Sequence, residues 1–111
     1  MLHKLRKGIG MKLLLICAGG YSTSMLVKKL EKYAAENGID PFVCEAHAAT
    51  ELAEIKDQFE VCLYGPQISN RAGYIKDILG PDYPVAKIEP ADYAIGNAPK
   101  IFALIDSITK K

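Results

Sequence analysis

Leu13-Leu14-Leu15-Ile16-Cys17-Ala18-Gly19-Gly20-Tyr21-Ser22-Thr23-Ser24-Met25-Leu26-Val27 decides how this chain folds. Four apolar residues in a row, Leu13 to Ile16, suit a strand covered on both faces. The run breaks at a glycine pair and three hydroxyl residues. It resumes with helical spacing, Leu26, Leu30, Tyr33 and Ala34 falling on one face. The reading is a strand over 12–17, a short loop, and a helix starting near 22–24, where Ser22, Thr23 or Ser24 supplies the N-cap. Asn37-Gly38 stops that helix, because glycine accepts the left-handed conformation of a helix end.

Cys17 falls at the end of the strand. A helix N-terminus gathers unsatisfied N–H donors and partial positive charge, so the loop beyond Cys17 favours an anion. A cysteine in that field loses its proton more easily than a free one, and the thiolate is the nucleophile. The stretch therefore points to a thiolate that attacks phosphorus or holds a phosphoryl group. A buried strand-end thiol is the alternative, since free cysteine is among the most buried residue types. The flanking glycines and the hydroxyls that follow favour chemistry.

Outward from this stretch, strand and helix keep alternating. A second strand is expected over 42–48, with Thr50 capping a short helix that carries Leu52, Ala53 and Ile55. Val61-Cys62-Leu63-Tyr64 reads as a third strand, ended by Gly65-Pro66. A loop over 65–70 leads to a helix over 71–79, stopped by Gly80-Pro81. A fourth strand covers 84–88, a loop 89–96, and Asn97 caps a last helix with Pro99 in its first turn. This pattern predicts an α/β three-layer sandwich: a four-stranded parallel sheet with helices on both faces. Ligands of such sheets bind beyond the carboxyl ends of the strands, near the switch in strand order. The loops 17–24, 65–70 and 89–96 converge there.

Composition limits the alternatives. With 111 residues, half of them hydrophobic and 24% charged, the chain suits one globular domain. The domain is expected over 11–111, with the basic stretch 1–10 as a leader that is disordered, vector-derived or the product of an upstream start before Met11. A net charge of +1 gives no case for nucleic acid or for a charged membrane surface. No apolar run approaches the ~20 residues of a membrane span, which excludes direct membrane insertion. Three cysteines without close pairing argue against a disulfide framework and for a reducing, cytoplasmic compartment. Cys44 and Cys62 lie inside expected strands and read as core residues. Isolated His47 reads as an ordinary strand residue, and no metal site is expected. Lys28, Lys29 and Lys32 read as a solvated face. The loop is neither a Walker A motif nor G-x-G-x-x-G, so no nucleotide and no cofactor is predicted.

The Cys17 loop resembles that of low-molecular-weight tyrosine phosphatases, whose signature carries an arginine six positions after the cysteine. Here that position is Thr23. Without a guanidinium fork the equatorial phosphoryl oxygens lose their main cation, which disfavours hydrolysis. A site that accepts a phosphoryl group and hydrolyses it poorly suits a relay.

The chain more closely resembles the IIB component of the bacterial phosphoenolpyruvate-dependent sugar phosphotransferase system, of lactose/cellobiose/chitobiose type. The resemblance runs from Met11 over nearly the whole chain. It rests on the stretch from Cys17 to Val27, on Tyr64-Gly65-Pro66-Gln67-Ile68, and on Asp92-Tyr93 before the final helix. It implies a fold like that of the low-molecular-weight phosphatases and a phosphotransferase with a phosphocysteine at Cys17. Ala18, Gly19, Gly20, Tyr21, Ser22, Thr23 and Ser24 would then bind the phosphoryl group, and Gln67 and Asp92 would shape the site or meet a partner. The implied donor is a phosphohistidine of a IIA protein. The implied acceptor is a sugar, such as cellobiose, lactose or chitobiose, held by a membrane IIC permease to which the chain binds peripherally. Tyr21, Ile68 and Ile95 are candidates for an exposed apolar docking surface. Three other readings stay open: a phosphatase-like hydrolase, an arsenate-reductase-like thiol enzyme, and a binding module without chemistry.

Overall fold

A computed structural model describes residues 11–16, 21–39 and 42–109, without the side chains at 21–24, 67 and 69. The leader 1–10, Cys17, Ala18, Gly19 and Gly20 lie outside the described residues. The elements are β1 (Met11–Ile16), α1 (Tyr21–Glu36), β2 (Phe42–His47), α2 (Leu52–Ile55), β3 (Val61–Tyr64), α3 (Ala72–Leu79), β4 (Val85–Lys87), α4 (Pro90–Ile95) and α5 (Ala98–Thr109). Turns of 3₁₀ helix flank α2, and one over Pro66–Arg71 leads into α3. The sheet order is β2-β1-β3-β4, every pair parallel.

The alternation of side chains along β1 divides the core. Leu13 and Leu15 pack with Leu26, Leu30 and Ala34 of α1 and with Ile101, Phe102 and Ile105 of α5. Leu14 and Ile16 point to the other face, where they meet Leu52 of α2, Phe59, and Ile75 and Leu79 of α3. Register carries the same division across the sheet: Leu13 pairs with Cys44 and Val61, Leu14 with Glu45 and Cys62. A strand buried on both faces must read as an unbroken apolar run, which is what β1 does. Four parallel strands with helices on both faces are the architecture expected from the sequence. Among the described residues, no helix is long and apolar enough to cross a membrane.

Several boundaries differ from expectation. Helix α1 begins at Tyr21, so Ser22, Thr23 and Ser24 sit within its first turn rather than at its cap. Thr50 lies inside a 3₁₀ turn whose cap position is Ala48, and it does not cap α2. The segment after β3 is not a plain loop but a kinked 3₁₀ turn, with Ile68 at φ −117° and ψ 28°. Residues 90–95, expected as loop, form α4. Pro90 opens it with its φ already helical, and Gly96 ends it in the left-handed conformation at φ 64°. Asn97 caps α5 as expected, its Oδ1 accepting from the Lys100 N–H at 3.3 Å.

Candidate functional site

The order β2-β1-β3-β4 places the switch point between β1 and β3, because the chain leaves β1 toward one edge and returns on the other. The carboxyl ends of these two strands are tied: the Gly65 N–H donates to the Ile16 carbonyl at 3.0 Å. The segment after β3 therefore departs beside the carboxyl end of β1. One turn further, the Ile68 N–H donates to the Gly65 carbonyl at 3.2 Å and folds the segment back. From β4, the Ile88 N–H donates to the Tyr64 carbonyl at 3.0 Å, so the lead-in to α4 joins the same edge.

Helix α1 opens at this edge. Its first turn holds no acidic residue, so nothing in that turn cancels the partial positive charge of its free N–H groups. The edge thus offers an anion a sixteen-residue helix N-terminus, next to the four residues that carry Cys17. Gln67 belongs to the 3₁₀ turn beside it, and its side chain lies outside the described set. The same holds for the side chains of Tyr21, Ser22, Thr23 and Ser24.

The other named candidates are resolved. Asp92 sits in the first turn of α4, where its Oδ1 accepts from Asn97 Nδ2 at 3.3 Å while its carbonyl accepts from the Asn97 N–H at 2.9 Å. Asp92 thus braces the turn between α4 and α5. Ile68 is half-buried against the core around Leu14 and Ile16, so it does not supply an exposed docking residue. Ile95 is exposed, with 63% of its surface open to solvent. Cys44 and Cys62 are buried, and burial pushes both thiols up to about 12, with Glu31 and Glu45 adding to the effect at Cys44. Neither is a thiolate near neutral pH, which leaves Cys17 without a described reactive partner thiol.

Lys28, Lys29 and Lys32 are exposed, as expected, and Lys29 has a further role: its Nζ donates to the Ile95 carbonyl at 3.1 Å and joins α1 to the end of α4. One reading is corrected. His47 is not isolated: Nδ1 lies 2.6 Å from Glu51 Oε1, and Nε2 lies 2.9 Å from Glu45 Oε1. The hydrogen bond to Glu45 raises its pKa most; burial opposes this, and the hydrogen bond to Glu51 adds to the rise. Period-2 spacing from Glu45 and i,i+4 spacing to Glu51 carried a signal for this cluster. Lys29 gave none, because its partner is a backbone carbonyl 66 residues away.

Comparison with known proteins fits this architecture. A family model described as "PTS system, Lactose/Cellobiose specific IIB subunit" matches residues 12–104. The galactose-specific EIIB component of the phosphotransferase system from Lactococcus lactis subsp. cremoris is 32% identical over 105 residues, covering 85% of this chain and 92% of its relative. The cellobiose-specific EIIB component from Lactococcus lactis subsp. lactis is 31% identical over the same shares. The solution structure of a cellobiose-specific phosphotransferase IIB protein from Borrelia burgdorferi is 37% identical, with a TM-score of 0.74 over 89% of this chain and 91% of that one. The lactose-specific IIB domain from Streptococcus pneumoniae, at 16% identity, shares the fold with a TM-score of 0.76 over 91% and 99%. With residues 12–104 matched and the four-stranded sheet and its order in place, the chain belongs to the lactose/cellobiose-specific IIB subunit family of the phosphotransferase system.

Proposed function

We propose that the chain carries a phosphoryl group on Cys17 during sugar uptake by the phosphoenolpyruvate-dependent phosphotransferase system. The observation that carries the reading is the acid-free N-terminus of α1 at the β1/β3 switch point, directly after the four residues that begin with Cys17. The Cys17 thiolate attacks phosphorus in line with the departing imidazole of a phosphohistidine on a IIA protein. The P–N bond breaks as the P–S bond forms, and the imidazole keeps the electron pair. Backbone N–H groups and hydroxyls from Ala18, Gly19, Gly20, Tyr21, Ser22, Thr23 and Ser24 hold the equatorial oxygens. The helix dipole adds up to ~2 kcal/mol in a partly buried site. A hydroxyl of a sugar held by the membrane IIC component then attacks the phosphocysteine. The P–S bond breaks, a P–O bond forms, and the thiolate returns. Gln67 shapes the wall contributed by the neighbouring segment.

The permease selects the sugar; a β-linked disaccharide or galactoside is in keeping with the relatives' cellobiose- and galactose-specific names. Thr23 stands where a phosphatase carries its arginine, so the phosphocysteine is expected to outlast transfer rather than hydrolyse. Incubation with phosphorylated IIA followed by mass spectrometry is the test. One phosphoryl group should appear on Cys17, and Cys17→Ser should abolish it in a folded chain. Label retained at another residue of that variant refutes the assignment. Rapid release of inorganic phosphate from an aryl phosphate, lost in Cys17→Ser, would favour hydrolysis instead.

A further inference from the structure

Met25 and Ile95 are the most exposed large apolar side chains among the described residues, at 62% and 63%. They stand on either side of one shallow groove of about 180 Å³, lined by Met25, Leu26, Lys29, Tyr93, Ala94 and Ile95. The groove is built, not incidental. Lys29 spans it and bonds the Ile95 carbonyl, and Gly96 leaves room for the lysine stem: a Cβ there would stand 2.5 Å from Lys29 Cδ. Its volume falls below the roughly 300–1,000 Å³ of small-molecule sites, and it suits one apolar anchor side chain from a protein. Met25 lies four residues into α1, about 6 Å along the helix axis from its start at the anion edge.

The charges around it choose the partner. Lys28 and Lys32 are exposed at i+3 and i+7 from Met25, beside Lys29 at i+4. The acidic Glu31 of the same helix faces β2 on the opposite flank, where it acts on Cys44. Asp92 is engaged with Asn97, and Glu89 stands at the far end of α4. The apolar pair is therefore fringed by lysines. Cytoplasmic loops of membrane proteins carry an excess of Lys and Arg, which this fringe repels. A soluble protein presenting a phosphorylated, anionic face is attracted.

We propose that the groove between α1 and α4 seats an apolar side chain of the phosphoryl donor protein, whose acidic residues meet Lys28 and Lys32. This rests on the reading of the chain as a phosphoryl acceptor, and it adds where the donor grips. The test uses the full chain with its IIA protein. Ile95→Asp and Met25→Asp should each raise the KM for phosphorylated IIA at least about tenfold while kcat changes little. Lys28→Glu with Lys32→Glu should weaken binding and flatten its salt dependence. Circular dichroism checks that each variant is folded. Calorimetry with unphosphorylated IIA measures the same contact without transfer, so a chain that binds IIA but is never labelled on Cys17 would sink the carrier reading and leave the groove standing. Wild-type KM in folded Ile95→Asp overturns the groove. So does absence of IIA binding by the wild-type chain, an effect confined to transfer onto sugar in permease vesicles, or a chain dimer that Ile95→Asp dissociates.

Discussion

On one face of the sheet, α1 and α5 run for sixteen and twelve residues and close the core with side chains alone. Tyr33 stacks on Phe102 at 5.0 Å between ring centroids, and Phe42 tilts against the same ring at 5.4 Å. On the other face, α2 has four residues and α3 eight, joined by 3₁₀ turns. These short pieces do not reach the margin of the sheet. Lys12, Val43 and Glu45 share that face and stay exposed, Val43 at 37%. Polar ties stand in for apolar cover there: His47 between Glu45 and Glu51, and the Tyr83 hydroxyl donating to the carbonyls of Lys56 and Phe59 at 2.9 and 3.0 Å. The difference teaches where rigidity is spent. The well-packed face carries α1, whose N-terminus opens at the carboxyl edge of the strands, and placement there matters to any chemistry at that helix end. The sparsely packed face supports the sheet from behind.

The contrast can be broken at its strong side. Phe102→Ala removes the ring that Tyr33 and Phe42 both meet, and it should destabilise the chain by about 3–5 kcal/mol. Urea denaturation measures this. Leu52→Ala on the short-helix face should lose less, about 2–3 kcal/mol, because the surrounding pieces can collapse toward the gap. Equal losses would mean the two faces are packed alike.

A smaller effect tests the join between α1 and α4. Gly96→Ala forces a side chain onto a residue at φ 64° and displaces Lys29 from its stem position. The expected loss is about 1–2 kcal/mol, read from the thermal midpoint. Combining it with Lys29→Ala should add less than the two single losses together, since both break one contact.

The smallest effect belongs to the polar face. The folded state raises the pKa of His47 above its ordinary 6.5, chiefly through Glu45 and then Glu51. Stability from this cluster is therefore complete below about pH 6.5 and fades as pH rises through the higher folded value. Both carboxylates are exposed, so the contribution should stay under about 1 kcal/mol. Thermal midpoints from pH 6 to 9 should fall in the wild type relative to His47→Gln. Parallel curves would mean that the ties carry no charge.

Much of this was legible in the chain before folding. Leu13 to Ile16 could only be a strand covered twice, and the four alternations with strong stops at Asn37-Gly38 and Gly80-Pro81 left a parallel sheet with flanking helices as the consistent arrangement. Cys44 and Cys62 read as core from their strand positions, and both are buried. What escaped was short or distant. Pro90 and Gly96 bracket a six-residue helix too brief to show an apolar period, so only its cap chemistry could mark it. Ile68 looked free because a kinked 3₁₀ turn has no periodicity to say which way a side chain faces.

By itself, the sequence determined what its local periods and stop signals encode: the strands, the long helices, and a cysteine set between a buried strand and a helix start. Only the tertiary structure decided which backbone carbonyl Lys29 would reach and that Met25 and Ile95 would share one groove. The physical reason is separation along the chain. Periodicity and capping act within a turn or two, whereas these contacts form only when the order of strands brings the end of α4 against α1.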